Sequence, residues 1–390
     1  MEVAQSHQKV LQTAKARSAD ELLSKKDFQS RFWIDVFLKA NEINASDIHI
    51  EQIKDGLLVR FRVQGELLQF IEYKEEFSLV RNLINRLKHI CSLDLSVNDE
   101  AQDRSVSFEV TNSRYRIALS PSVFGENFVF RIIRDEFIPK LSELYLPQET
   151  ETDLRYAMNQ KQGFICITGP TGSGKSTTLQ SILMELDREK KKVITIENPV
   201  ERIIPSTLQK EINHKVSWKT AIKMALREDP DIILIGEIRD RESAELALEA
   251  AQTGHLVFST LHTNDVAGIV DRLLGLGVER RLIADNLLFV SAQRLIQRLC
   301  SNCKVKLADG YYIKGDGCEH CSAKGVKGIK GRLPIVEYSF YPTPESIIEF
   351  DKKNFESTQV KRTLQAECQR WIEAGEVDER ELRYWRKSHV

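Results

Sequence analysis

Polar and apolar residues alternate over two early segments. Ile48 and Ile50 stand among Asp47, His49 and Glu51, and Leu57, Val59, Phe61 and Val63 interleave with Leu58, Arg60, Arg62 and Gln64. A period of two predicts half-buried strands, and Asp55-Gly56 between the runs predicts a hairpin. Residues 77–90 carry a helical spacing, and further strands are expected around 105–110, 114–119 and 128–133. Residues 31–140 thus predict a small α+β domain. The polar segment 1–30 before it has no strand pattern and reads at most as a frayed helix. The stretch 139–148, with two prolines and mixed polarity, marks a boundary. The rhythm then changes. Short apolar runs at 164–168, 193–196, 232–235 and 256–260 have helical stretches between or after them. Such runs suit a parallel sheet covered on both faces, so 149–390 predicts an α/β domain. A Cys- and Gly-rich stretch interrupts it after 299, and a charged, mostly helical end follows from 345.

The first apolar run leads into Gly169-Pro170-Thr171-Gly172-Ser173-Gly174-Lys175-Ser176, with a helix expected from about Thr177. This fits the phosphate-loop pattern in its required setting of strand, loop and helix. Glycines let successive N–H groups turn inward around phosphate oxygens, and the helix N-terminus adds partial positive charge. Lys175 is expected on the β- and γ-phosphates, and the Ser176 hydroxyl on Mg²⁺. The run Ile232–Ile235 ends at Gly236-Glu237. A carboxylate there would project beside the γ-phosphate, which assigns Glu237 to polarise the attacking water; the alternative is a solvated strand-end acid. Glu197 and Glu201 follow a third run, and His262 ends a fourth. Ligands of open α/β sheets bind at the carboxyl ends of strands, so these three are candidates for metal, water and γ-phosphate sensing. His255, at the other end of that run, reads more readily as structural.

Cys300-x-x-Cys303 and Cys318-x-x-Cys321 have the spacing of a four-thiolate zinc site, which is structural in type. Chance clustering or a redox pair is the alternative. Cys91, Cys166 and Cys368 stand alone.

Composition narrows the classes. The chain has 390 residues, with 56 Lys plus Arg against 57 Asp plus Glu, a net charge of −1. That balance argues against a bulk polybasic binder of nucleic acid or membrane. With 42% apolar residues, large cores are possible. No stretch approaches the ~20 apolar residues of a bilayer-spanning helix, and the first residues lack a secretory apolar run. Seven cysteines, unevenly placed, do not suit a secreted disulfide framework. A soluble, cytoplasmic chain is expected.

Several further motifs carry a resemblance. They are Leu226-Arg227-Glu228-Asp229-Pro230-Asp231 with Gly236-Glu237-Ile238-Arg239-Asp240, then Thr253-Gly254-His255 and Ser259-Thr260-Leu261-His262-Thr263-Asn264. Glu197-Asn198-Pro199-Val200-Glu201 looks like an aspartate box, Ala45–Glu51 like the opening of an N-terminal domain, and Gln293-Arg294-Leu295 like the approach to a tetracysteine module. In this order, over roughly 35–340, they resemble the type II secretion and type IV pilus assembly ATPases, the secretion system protein E family.

The resemblance implies a RecA-like P-loop NTPase core, a smaller α+β N-terminal domain and a zinc-binding tetracysteine insertion. It implies a cytoplasmic homo-hexamer using ATP, Mg²⁺ and Zn²⁺. Its motion would pass to an inner-membrane platform protein, with a membrane-anchored docking protein as a further partner. Membrane association is then indirect, and no nucleic acid is expected. Arg60, Arg62, Arg116 and Arg131 look like the N-terminal-domain arginines that reach nucleotide, and Arg227 like an interface arginine; each could instead be an ordinary surface arginine. The chain departs from the pattern at Asn198, Gln64, Lys223 and the segment Ala101–Ser105. These departures motivate one alternative, a nucleotide-binding scaffold with little turnover. A retraction motor is another, disfavoured by the tetracysteine cluster, and a nucleic-acid translocase is the last.

Overall fold

The structure is a computed structural model that describes residues 27–134, 138–213, 215–322, 326–341 and 360–385. Most of the expected polar segment 1–30, and part of the expected helical end, lie outside them. Contacts divide the chain into two compact units: one holds residues up to 136 with 300–303 and 315–330, the other 137–299, 304–314 and 331–390.

In the first unit six strands form one antiparallel sheet. They are β1 (Asp47–Ile53), β2 (Gly56–Val63), β3 (Glu66–Tyr73), β4 (Gln102–Phe108), β5 (Ser113–Ser122) and β6 (Gly125–Arg134), ordered β3-β2-β1-β6-β5-β4. The predicted alternation is present: Ile48, Ile50, Val59, Phe61, Phe128 and Phe130 are buried. Helices Phe28–Glu42 and Phe77–Ile90 supply Trp33, Phe37, Leu83 and Leu87 to this core. The Trp33 indole donates to the Leu83 carbonyl at 2.9 Å, tying the helices together. Lys88 is fully buried, and its three N–H groups reach Val97 O at 2.8 Å, Asn98 Oδ1 at 3.1 Å and Glu126 Oε1 at 2.8 Å. This ties the segment before β4 to the head of β6.

In the second unit the parallel sheet contains β7 (Gly163–Thr168), β8 (Val193–Glu197), β9 (Leu208–Glu211), β10 (Ile232–Ile235), β11 (Leu256–Leu261) and β12 (Leu287–Leu299). A small hairpin, β13 (Val305–Lys306) and β14 (Tyr312–Ile313), precedes β15 (Ile329–Phe340), and the sheet order is β15-β12-β7-β11-β10-β8-β9. The four expected apolar runs are β7, β8, β10 and β11. Every residue of β7 and β11 is buried, because helices cover both faces. Phe164 and Cys166 join one core with Ile196, Ile235, Leu248 and Val290, while Ile165 and Ile167 join the other with Leu154, Leu179, Ile182 and Phe289. Parallel pairing from β12 to β9 puts all these carboxyl ends on one edge. After β7 the chain crosses to β8 and leaves two positions that β10 and β11 later fill. Such a crossover opens a crevice at the strand ends.

Candidate functional site

The phosphate-loop sequence lies in this crevice, between β7 and the helix Lys175–Glu185. Gly169 and Gly172 have φ of 146° and 79°, a region open to glycine. Lys175 is buried and folds back over the loop, donating to Gly169 O at 2.6 Å and Pro170 O at 3.0 Å. Burial lowers its ammonium from the usual range, and the nearby Arg294 adds to the effect. Both Pro170 and Thr171 are exposed, as are Gly172 and Ser176; Thr177 is half-buried and Gly174 opens the helix. The Ser173 hydroxyl is buried with no hydrogen-bond partner among the described residues. A buried orphan hydroxyl is rare. An orphan hydroxyl, a lysine held only by carbonyls and a helix N-terminus suit a polyphosphate that would satisfy all three.

Glu237 stands just past β10. Gly236 is hydrogen-bonded to both neighbours, its N–H to Ile196 O at 2.8 Å and its carbonyl to the Thr260 hydroxyl at 2.6 Å. The Ser259 hydroxyl donates to Ile235 O at 2.7 Å. On the other side of β11, Thr168 Oγ1 donates to Leu261 O at 2.8 Å and accepts from Thr263 N at 2.7 Å. Hydroxyls thus stitch the ends of β7, β11 and β10 together, and Glu237 is placed by two strands. Its carboxylate pairs with Arg239 at 2.5 Å and lies 3.7 Å from His262 Nε2. Burial lowers the His262 pKa, and Lys175 lowers it further, against the pull of Glu237. The strand ends therefore bring Lys175, Glu237 and His262 together at the phosphate loop.

Glu197 ends β8, three strand positions from β7 with β11 and β10 between them. Its carboxylate accepts from Thr195 Oγ1 at 2.6 Å and Gln209 Nε2 at 3.1 Å. Burial raises its pKa, and Glu201 and Glu211 push the same way. Glu201 is half-buried in the following loop, near enough to be felt by Glu197. His255 sits at the amino-terminal end of β11, away from the loop, with Nδ1 2.8 Å from Ala250 O; it closes the preceding helix. Arg227 is exposed and follows the helix Trp218–Ala225, on the amino-terminal side of the sheet. Within one chain it does not approach the phosphate loop.

Two loop neighbours were not singled out from the sequence as site residues. Gln293, buried on β12, accepts from Thr178 Oγ1 at 2.9 Å. A side-chain carbon built on Gly169 would lie 2.4 Å from the Gln293 carbonyl and 3.2 Å from Arg294 Nη1. β12 therefore walls the loop at contact distance. The available signal was β12 itself, an apolar run that ends in Gln293-Arg294 as the other strands end in polar groups.

In the first unit Cys300, Cys303, Cys318 and Cys321 bring their sulfurs within 4.8 Å of one another. Sulfur pairs 300–318, 303–321 and 318–321 are 3.8, 3.7 and 3.7 Å apart. Tetrahedral Zn–S bonds of about 2.3 Å imply S···S edges of about 3.8 Å. The Cys318 and Gly328 N–H groups both donate to Cys321 Sγ at 3.2 Å, as suits a thiolate held by an outer shell. The cluster is thus shaped for a four-coordinate metal.

Strand register sets three of the expected arginines in one row. Arg116 pairs with Arg131, Arg131 with Asp47, and Asp47 with Arg62. Arg60 is one step along, opposite His49. By alternation all lie on the face away from the helices. Arg131 contacts Asp47 at 3.2 Å, Arg60 pairs with Glu51 at 2.5 Å and Arg62 donates to Gly65 O at 3.1 Å. The face is basic but partly neutralised.

Comparison with known proteins agrees with this geometry. A family model described as Type II/IV secretion system protein matches residues 24–383. The protein transport protein HofB homolog of Haemophilus influenzae is 36% identical over 353 residues, 89% of this chain and 71% of that protein. The type II secretion system protein HxcR of Pseudomonas aeruginosa is 35% identical over 346 residues, 87% of this chain and 73% of its own length. Among solved structures, the Legionella pneumophila ATPase DotB has a TM-score of 0.71 at 24% identity, covering 93% of this chain and 97% of its own. The pilus retraction motor PilT with bound ADP has a TM-score of 0.66 at 24% identity, covering 90% and 95%. At that identity the two structures establish a shared fold. No helix among the described residues is long and apolar enough to cross a membrane.

Proposed function

The chain belongs to the type II/IV secretion system protein family, and on that premise we propose that it is an ATPase powering assembly of a type IV pilus or type II secretion pseudopilus. The observation that carries this reading is the meeting of Lys175, Glu237 and His262 at one sheet edge beside the phosphate-loop backbone. Lys175 would release the Gly169 and Pro170 carbonyls to grip the β- and γ-phosphates, and Ser173 and the helix N-terminus would satisfy further oxygens. Ser176 would hold Mg²⁺, whose charge offsets that of the phosphates. Glu237, freed from Arg239, would orient and deprotonate water, with His262 sensing the terminal phosphate. Glu197 and Glu201 are assigned to the metal and water side of the crevice.

We assign residues 31–140 to an α+β N-terminal domain and 149–390 to the ATPase domain, with Zn²⁺ held by the four cysteines as a structural centre. In a homo-hexamer, the Arg60, Arg62, Arg116 and Arg131 face and Arg227 would meet nucleotide or the adjacent subunit and neutralise charge in the transition state. A cytoplasmic ring would act through an inner-membrane platform protein and a docking protein, peripheral to the membrane. The tetracysteine cluster favours assembly over retraction within the family.

The test is hydrolysis by the purified chain. Mg²⁺-dependent ATP turnover is expected, Lys175→Ala should abolish it, and Glu237→Gln should bind ATP yet stall. Negligible turnover by an assembled wild-type ring would favour the scaffold; wild-type turnover by Glu237→Gln would remove the assigned base.

A further inference from the structure

Among the described residues, Arg294 at the phosphate loop has no ion-pair partner. It projects from β12, half-buried. Two of its N–H groups go to backbone carbonyls, Nη1 to Gln293 O at 3.0 Å and Nη2 to Asn264 O at 2.7 Å. No carboxylate of a described residue lies within ion-pair distance of it; Asp265 and Glu337 are felt only at longer range. Burial lowers its pKa, the mark of a charge held out of water without full compensation. A guanidinium carries five donors in a fork that matches phosphate oxygens, so two carbonyls leave most of its capacity unused.

Its position identifies which anion would use that capacity. The Nη1 atom lies beside Gly169, whose backbone is close enough to be felt by His262. His262 in turn neighbours Glu237. Arg294 is therefore on the hydrolytic side of the loop, where a third phosphate would extend beyond the two gripped deeper in the cradle. Resting on the ATPase reading above, we propose that Arg294 is a second phosphate-binding cation, supplied in cis by β12, which leaves the Asn264 carbonyl for the terminal phosphate. The site then prefers triphosphate to diphosphate. Exchange of that one contact also frees the His262–Asn264 turn when the terminal phosphate is present and recaptures it when phosphate departs.

The experiment compares binding of a non-hydrolysable ATP analogue and of ADP, each by calorimetry with Mg²⁺, to wild type, Arg294→Gln and Lys175→Ala full-length protein. Losing charge-assisted hydrogen bonds to one phosphate should weaken the triphosphate about tenfold or more while ADP changes by less than about twofold. A uniform loss for both nucleotides would make Arg294 a clamp on the loop only, and no loss would make it a bystander; either overturns the proposal. If the glutamine variant does not fold, Arg294→Lys, which keeps charge but lacks the fork, is judged by the same ratio. Failure of the nucleotide site on which this rests looks different, since wild type itself would then bind neither nucleotide and Lys175→Ala would change nothing; a scaffold would bind both and is told apart by the absence of turnover.

Discussion

Replacing Gly169 by alanine tests the close approach of β12 to the phosphate loop. The new methyl would lie 2.4 Å from the Gln293 carbonyl and 2.6 Å from Ser173 Oγ. An ordinary C···O contact is about 3.3 Å or more, so loop and strand must part by nearly 1 Å. The carbonyl is backbone within a paired strand, so the loop is the part that yields. Gly172→Ala is the internal control. It also has positive φ, 79° against 146°, yet a methyl there meets nothing within 4 Å. Backbone strain of ~1–3 kcal/mol falls on both variants. Overpacking of ~1–3 kcal/mol falls on Gly169→Ala alone. At ~2–4 °C per kcal/mol for a domain of this size, Gly169→Ala should melt roughly 2–12 °C below Gly172→Ala. A reacting geometry displaced by ~1 Å can cost about a hundredfold in rate, so turnover should separate the two more widely than stability does. Scanning calorimetry and a phosphate-release assay on both proteins decide the matter. Equal melting points and equal rates would refute the claim that β12 walls the loop.

Three further outcomes are expected. Lys88→Met leaves Glu126 buried without its partner and should cost ~3–5 kcal/mol in chemical denaturation, while Lys88→Met with Glu126→Leu should recover most of it; equal losses in both would show that the ion pair is not what matters. Metal analysis of reduced protein should find about one Zn per chain, lost on Cys300→Ser, and fewer than ~0.5 per chain would count against the four-thiolate site. His262 has a folded-state pKa below its ordinary ~6.5, so its stabilising contribution is full above that pH and lost as pH falls through the lower folded value. Stability between pH 8 and 5 should decline less in His262→Asn than in wild type, and identical profiles would exclude the histidine as the titrating group.

Sequence reasoning succeeded where the signal is local. The loop Gly169–Ser176 is contiguous, and the runs that became β7, β8, β10 and β11 are mostly apolar because both faces of the sheet are covered. It failed where the signal is distributed. β3 is an edge strand exposed to varying degrees on both faces, so no alternation marks it, and helix Phe28–Glu42 carries Phe28 and Leu38 exposed alongside buried Trp33 and Phe37, which blurs its stripe. Gln293 meets Thr178 across 115 residues of chain, a contact that only the strand order creates. The row of Arg62, Asp47, Arg131 and Arg116 likewise follows from register: the arginines were legible one by one, their alignment only after pairing.

The side-chain hydroxyls along the carboxyl-end edge of the parallel sheet make it a plate rather than a set of independent fingers. Each of Thr168, Ser259 and Thr260 fastens one strand tip to the next through a short bond to main chain. A lever attached anywhere on that plate would feel events at any other point of it. Valine at these positions would keep the interior filled while cutting the fastenings one at a time, which offers a way to uncouple chemistry from force without touching a reacting group.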